Sequence, residues 1–175
     1  MLKNKRLLHK IWQIVMLFTM GCGLFSAKQS LDKNKAGIDL IFKYGVGVRN
    51  VLNTFEESYT KDMVMDSSII IALSLTEEEL NKINEKMVEI NFFGYPDTFS
   101  IPVDTTEVVG YVTPYSTYYF KVKHLSGIKE LLWVDNIFKE DEKAEKLREF
   151  IEFIRGIIES KDEYKKLPPV RGGYL

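Results

Sequence analysis

The chain has 175 residues, the size of one domain with a short extension. Its 24 basic and 25 acidic residues give a formal net charge of −1, which excludes a general attraction for nucleic acid. The single cysteine excludes an internal disulfide, so stability must come from the core. The 11 Phe, 9 Tyr and 2 Trp suit such a core, because each ring buries roughly 150–250 Å².

The N-terminus has the three-part order of an export signal. Met1–Lys10 carries four basic residues and no acid, and Ile11–Met20 is nearly all apolar. Two small residues, Gly21 and Gly23, then flank Cys22. Removal of the signal leaves 20 basic and 25 acidic residues, so the exported part has a net charge of −5.

With its cysteine directly after a small residue, this segment resembles the signal peptide of bacterial lipoprotein precursors. Thr19 and Met20 stand where that family prefers Leu and a small residue. The resemblance implies that residues 1–21 are removed and that Cys22 carries a diacylglyceryl group as the new N-terminus. It also implies a location on the extracytoplasmic face of the cell membrane. An uncleaved membrane anchor and ordinary secretion stay open as alternatives.

Residues 22–36 are polar and rich in lysine, and we expect them to form a flexible tether. A single globular domain, residues 37–175, follows the tether. Alternating apolar residues and turn signals predict that it opens with a four-stranded antiparallel meander. These strands are predicted at Ile38–Tyr44, Asn50–Phe55, Tyr59–Val64 and Ile69–Leu75, with a first turn at Gly45-Val46-Gly47.

The first helix has a clear start, because Thr76 and Glu79 have the spacing of a capping box. Its apolar face is predicted to contain Leu80, Ile83, Met87 and Ile90. A second helix is predicted at Glu140–Ser160, with a broad apolar stripe. That stripe contains Ala144, Leu147, Phe150, Ile151, Ile154, Ile157 and Ile158.

Between the helices, we expect an irregular excursion at Ile101–Pro114 and then a hairpin of two strands, Tyr115–His124 and Ile128–Val134. The tail after the second helix, Lys161–Leu175, is predicted to be extended and to strap across the domain. These elements predict an α+β fold in which an antiparallel sheet of about six strands carries two amphipathic helices on one face.

Two sets of residues are candidates for a binding surface. The first is polar and lies on neighbouring strands: Asn50, Asn53, Thr54, Thr60, Lys61 and Asp62. The second combines aromatic and basic side chains on the hairpin: Tyr115, Tyr119, Lys121 and Lys123. The second set has the chemistry to contact glycans, peptide or a wall polymer. A solvated sheet face and ordinary strand packing are the alternative explanations.

Catalytic chemistry has little support in the sequence. His124 is the only histidine after the signal, and no G-x-S-x-G motif supplies it with a nucleophile. The exported chain lacks the Cys and His ligands that a zinc site needs, so no metal and no cofactor is predicted. Carboxylates alone can hydrolyse glycosides, and Asp62 and Asp66 are then the first candidates.

Three segments resemble a group of uncharacterised exported proteins of Gram-positive bacteria. They are Phe42–Phe55, Tyr59–Val64 and the tail from Glu163 to Leu175. The resemblance implies a location but no activity. We therefore expect a monomeric, membrane-anchored extracytoplasmic lipoprotein that serves as a binding or accessory module for a protein or cell-wall partner. The alternative is a small carboxylate-dependent hydrolase that acts on cell-wall material.

Overall fold

Seven strands form one sheet in this protein, as seen in a computed structural model that describes residues 37–125 and 127–175. The strands are β1 Asp39–Tyr44, β2 Asn50–Asn53, β3 Ser58–Met63, β4 Asp66–Ala72, β5 Thr98–Phe99, β6 Gly110–His124 and β7 Gly127–Phe138. The helices are α1 Glu77–Glu89, α2 Glu142–Ser160 and α3 Asp162–Lys165. Short 3₁₀ turns lie at Val46–Val48 and Phe92–Gly94. The predicted signal peptide, the lipidation site Cys22 and the tether lie outside the described residues.

The strand order is β4-β3-β2-β1-β6-β7-β5. All neighbours pair antiparallel except β5, which pairs parallel to β7 through Phe99 and Trp133. The predicted α+β class is confirmed, but the sheet is mixed and has seven strands, and the described residues contain three helices. Two elements were missed because they are short: a two-residue strand shows no alternation, and α3 is one turn within a tail predicted to be extended.

One core lies between the sheet and the two long helices. Side chains of β1, β2, β3, β6 and β7 meet the apolar faces of α1 and α2 in a single cluster. Phe120 lies near its centre, with its ring centroid 4.6 Å from Phe42, 5.3 Å from Phe92 and 5.7 Å from Phe150. Because both helices contribute to this cluster, they cover the same face of the sheet, as predicted.

The capping box of α1 is confirmed. The Thr76 hydroxyl accepts a hydrogen bond from the Glu79 amide at 3.2 Å, and the Glu79 carboxylate accepts one from the Thr76 amide at 2.7 Å. Glu79 also forms an ion pair with Lys161 at 2.5 Å, which connects the start of α1 to the end of α2. Burial opposes the charged form of Glu79, but the Lys161 and Thr76 hydrogen bonds outweigh it and lower the pKa of Glu79.

The β6–β7 hairpin is longer than predicted. It begins at Gly110, inside the segment predicted to be irregular, and its partner strand continues to Phe138. The pairing register shifts between Tyr111 and Ser116, where the Thr113–Pro114 peptide bond is cis. A proline cannot donate to a strand ladder, and this is why the sequence pattern indicated a loop at that point.

The opposite face of the sheet is not covered by a helix in the described part of the chain. Its central row crosses five strands and contains Ile70, Thr60, Val51, Lys43 and Tyr119. We call it the outer face. Among residues 37–125 and 127–175, no helix is long and apolar enough to span a bilayer.

Candidate binding surfaces

A polar cleft of about 320 Å³ lies beside the ends of β1 and β3. The hydroxyls of Tyr44 and Tyr59 are hydrogen-bonded at 2.7 Å. The Asn50 side-chain oxygen accepts bonds from the Tyr59 hydroxyl at 3.3 Å and from the Asp62 amide at 3.0 Å. Burial raises the pKa of Tyr44 to about 12 and also raises the pKa of Tyr59, so both phenols keep their protons to a higher pH than an ordinary tyrosine does.

Lys61 and Asp62 are both buried in this cleft, and both are held by the C-terminal tail. The Lys61 ammonium donates to the Pro168 carbonyl at 2.9 Å and lies 4.9 Å from the centre of the Tyr164 ring. The Asp62 carboxylate accepts hydrogen bonds from the Tyr174 hydroxyl and from the Val64 amide. Both charged groups are therefore already bonded to other residues of the same chain.

The tail does strap across the end of the sheet, as predicted. Arg171 donates from two nitrogens to the Asp66 carboxylate, at 2.9 Å and 2.6 Å, and its backbone forms a bridge with Val64. With the Lys61 and Asp62 contacts, these bonds attach residues 168–174 to β3 and β4. We call this segment the C-terminal strap.

The outer face carries four of the predicted site residues. The Lys43 ammonium lies 5.6 Å from the centre of the Tyr119 ring. Lys121 faces Glu130 at 3.7 Å, and Lys123 pairs with Asp39 in the β1–β6 register. The fourth, Asn53, lies opposite Ile41 in the β1–β2 register, and its side chain caps the following turn by accepting the Phe55 amide at 3.1 Å. Of the basic side chains on this face, Lys121 therefore forms an ion pair, and Lys123 lies in register with an acidic residue.

The predicted site residues thus lie in three places rather than one. Lys61 and Asp62 are in the polar cleft, and the outer face holds the four residues described above. Tyr115 lies in neither place but in the irregular part of β6. No single surface contains the whole predicted set.

A larger groove, of about 460 Å³, lies between the start of α2 and the far end of the hairpin. We call that end of the hairpin, residues 110–118 and 133–138, the arm, and we call the groove beside it the arm groove. The groove is lined by Val112, Pro114, Ser116, Tyr118, Asp135, Ile137, Phe138, Lys139, Glu140, Glu145 and Arg148. This volume is within the range of small-ligand sites in proteins.

Arg148 organises the inner wall of this groove. Its guanidinium donates to both carboxylate oxygens of Asp135, at 2.9 Å and 2.6 Å, and lies 5.3 Å from the centre of the Trp133 ring. A third bond runs to Glu145 at 2.5 Å. The Asp135 hydrogen bond is the main cause that raises the pKa of Arg148. The Trp133 ring thus packs on the guanidinium and the two carboxylates bind its N–H groups, so this side of the groove is rigid.

Exposed aromatic rings gather at the end of the arm, and one of them, Phe138, lines the groove. Tyr111 is 72% exposed and Phe138 is 80% exposed, and the register places them on adjacent strands. Tyr115 is also exposed, but it lies between two groove residues, Pro114 and Ser116, and does not line the groove itself. The sequence pattern indicated Tyr115 but not the groove, because the inner wall comes from Arg148, which lies 13 residues beyond Asp135 on a helix that meets the hairpin only in the fold.

His124 lies at the opposite end of the hairpin, where its ring centroid is 4.9 Å from that of Phe93. Among the residues that the structure describes, no group of three or more His, Cys, Asp or Glu side chains is placed to hold a metal ion.

Comparisons with protein-family models, with curated proteins and with solved structures found no match for this chain.

Proposed function

We propose that this protein is a membrane-anchored, extracytoplasmic binding module that holds the glycan of the cell wall in the arm groove. One observation carries the proposal: an open groove of about 460 Å³ is lined by the exposed ring of Phe138, and the exposed ring of Tyr111 lies at the same end of the arm. Exposed apolar groups gathered at a concave site mark an interaction surface more often than a chance arrangement. The lipoprotein resemblance supplies the location.

The groove chemistry favours a sugar over a strongly charged ligand. Aromatic rings offer flat apolar surface to the faces of sugar rings, and Ser116 and Asp135 offer hydrogen bonds to hydroxyl groups. Both cations that line the groove are already paired, Arg148 with Asp135 and Lys139 with Glu107. A ligand with high negative charge would therefore find little compensation there.

The test is sedimentation of the purified full chain with insoluble cell walls. We expect the double variant Tyr111→Ala/Phe138→Ala to bind walls at least tenfold more weakly, because it removes the ring that lines the groove and the other most exposed ring at that end of the arm. Ile70→Ala is the matched control, since Ile70 is 72% exposed on an edge strand of the same sheet but lies outside the groove. Equal binding by the double variant and the wild type contradicts the proposal.

The outer face is the competing surface for the same ligand. Tyr119→Ala/Lys121→Ala removes its aromatic–lysine pair without touching the groove. If Tyr119→Ala/Lys121→Ala still binds walls and Tyr111→Ala/Phe138→Ala does not, the result supports the groove as the glycan site. The reverse result moves the site to the outer face.

A carboxylate-dependent hydrolase is the second candidate function, and the geometry gives it less support. Asp62 is bound by Tyr174 and Asp66 by Arg171, so the C-terminal strap already occupies both candidate carboxylates. Glycoside hydrolysis needs one carboxyl free to protonate the leaving oxygen. Release of soluble sugar from walls by the wild type, abolished in Asp62→Asn, would establish the hydrolase and reject the binding module.

The membrane anchor has its own test. Mass spectrometry of the protein from the membrane fraction should find an N-terminus at Cys22 with a diacylglyceryl group. Two acyl chains hold a protein on a bilayer, whereas one chain does so only marginally. An unmodified N-terminus at Met1 would reject the lipoprotein in favour of an uncleaved anchor.

A further inference from the structure

We infer that the closed end of the β6–β7 hairpin rests in the headgroup region of the bilayer, with Leu125 and Ile128 as its membrane-contacting side chains. The inference relies on the proposed membrane anchor but not on the glycan groove. We call residues 123–125 and 127–128 the hairpin tip.

Two large apolar side chains at the tip project into solvent. Leu125 is 90% exposed and Ile128 is 63% exposed. Lys123 lies directly opposite Ile128 in the hairpin register and is also exposed. Apolar side chains with a lysine beside them are the composition expected at a membrane interface, where the apolar groups enter and the ammonium stays with the headgroups.

The chain enters the domain at this same end. A Cβ placed on Gly37 would lie only 3.5 Å from the Leu125 Cγ, and Asp39 pairs with Lys123 at the first position of β1. The predicted tether, residues 22–36, therefore joins the domain beside the tip. A flexible chain of that length has an end-to-end distance of roughly 20 Å. The hairpin, with 15 residues in β6 at about 3.3 Å each, is longer than that.

The two ends of the hairpin therefore lie at different distances from the membrane. With the proposed anchor in the membrane, a tether of that length lets the tip reach the bilayer, and seating of the tip then places the arm roughly 40 Å farther out. The arm groove then faces away from the membrane, on the side where cell-wall material lies.

The contact should depend on apolar burial and not on anionic lipid. Lys123 pairs with Asp39 in the register, and Lys129 donates to Asp97 at 2.5 Å, so the tip presents little net positive charge. Phe55 is also exposed at this end of the sheet, but Glu56 and Glu57 follow it directly and oppose its approach to a bilayer. Leu125 and Ile128 have no acidic neighbour of that kind in their hairpin register.

The test is depth-dependent fluorescence quenching with the full chain reconstituted into phosphatidylcholine vesicles that contain brominated lipid. We expect Leu125→Trp and Ile128→Trp each to be quenched at least twofold more than Ile70→Trp, the matched exposed position on β4. The native tryptophans, Trp133, which is buried, and Trp12, where the N-terminus is retained, add the same background to all three variants. Equal quenching of the tip and control variants overturns the inference, as does tip quenching that appears only when anionic lipid is added.

The same sample separates this inference from the proposed function. Its mass reports whether Cys22 is lipidated, and an uncleaved anchor would hold the tip at the bilayer equally well. Tyr111→Ala/Phe138→Ala should leave the quenching of Leu125→Trp unchanged, because these rings are at the opposite end of the hairpin. Loss of quenching in that background would mean that the tip contact depends on the arm, which contradicts the inference.

Discussion

The hydroxyl of Tyr174 donates a hydrogen bond to the carboxylate of Asp62, and the two residues are 112 positions apart in the chain. This bond is the main cause that raises the pKa of the Tyr174 phenol. The guanidinium of Arg49 lies 5.7 Å from the centre of the same ring. The last residues of the chain are therefore part of the folded domain, and the buried Asp62 depends on them for one of its hydrogen bonds.

Removal of that hydroxyl in Tyr174→Phe should lower the free energy of unfolding by about 1 kcal/mol. A bond to a charged acceptor contributes roughly 1.5–3 kcal/mol when buried, and Tyr174 is near the surface, where solvent weakens it. Urea denaturation of the full chain measures the difference. Tyr111→Phe, which removes an exposed hydroxyl at the arm, is the control and should change stability very little. Similar stability losses in the two variants would show that the Asp62 bond contributes nothing specific.

The Tyr44–Tyr59 pair should make the domain sensitive to alkaline pH. Folding raises the pKa of Tyr44 from 10.0 to about 12 and raises that of Tyr59 as well, mainly through burial. Between these pH values the native state keeps protons that the unfolded chain releases, so its stability falls as pH rises. The contribution is complete below pH 10 and is lost as the pH passes from 10 through about 12. Denaturation curves at pH 8 to 11.5 measure this slope.

The matched comparison for the alkaline effect is Tyr44→Phe, which should flatten the slope because one buried phenol no longer titrates. Absorbance of tyrosinate near 295 nm should show less ionisation above pH 10 in the folded protein than in the unfolded chain, because the fold raises the pKa values of Tyr44 and Tyr59. A wild-type stability that stays constant to pH 11.5 would mean that neither phenol is held neutral by the fold.

The aromatic centre of the core is the most sensitive site for packing. Phe120→Ala should cost about 3–5 kcal/mol, because it removes the ring that contacts Phe42, Phe92 and Phe150 and leaves a cavity. Ile70→Ala, on the exposed outer face, should cost less than about 0.5 kcal/mol. Thermal or urea denaturation distinguishes the two, and a small loss for Phe120→Ala would indicate that the core refills around the cavity.

The sequence predicted those elements that local patterns determine. The start of α1 depended on two residues three positions apart, and the buried faces of both long helices followed from 3.6-residue periodicity. The meander strands followed from alternation, with ends that differ by a few residues. By contrast, β5 exists only because Thr98 and Phe99 lie beside β7, and that contact is not encoded within two residues.

The candidate site was harder to predict for the same reason. Lys61 and Asp62 were expected on a polar surface, and they are buried because residues more than 100 positions later cover them. The arm groove needs a strand and a helix that meet only in the fold, as the Asp135–Arg148 pair shows. Tyr119, Lys121 and Lys123 share the outer face as predicted, because the side-chain period of a strand is a local property.

Residues 37–175 should fold alone as a monomer, without metal or disulfide. Their core combines side chains from the sheet and both long helices in one cluster, and the only cysteine of the chain, Cys22, is outside this segment. Expressed without residues 1–36, the domain should unfold in one cooperative step, with a midpoint that chelator and reductant leave unchanged. Sedimentation should give the mass of one chain. A midpoint that falls when chelator is added would reveal a bound metal, and a midpoint that rises with protein concentration would reveal an oligomer stabilised by association.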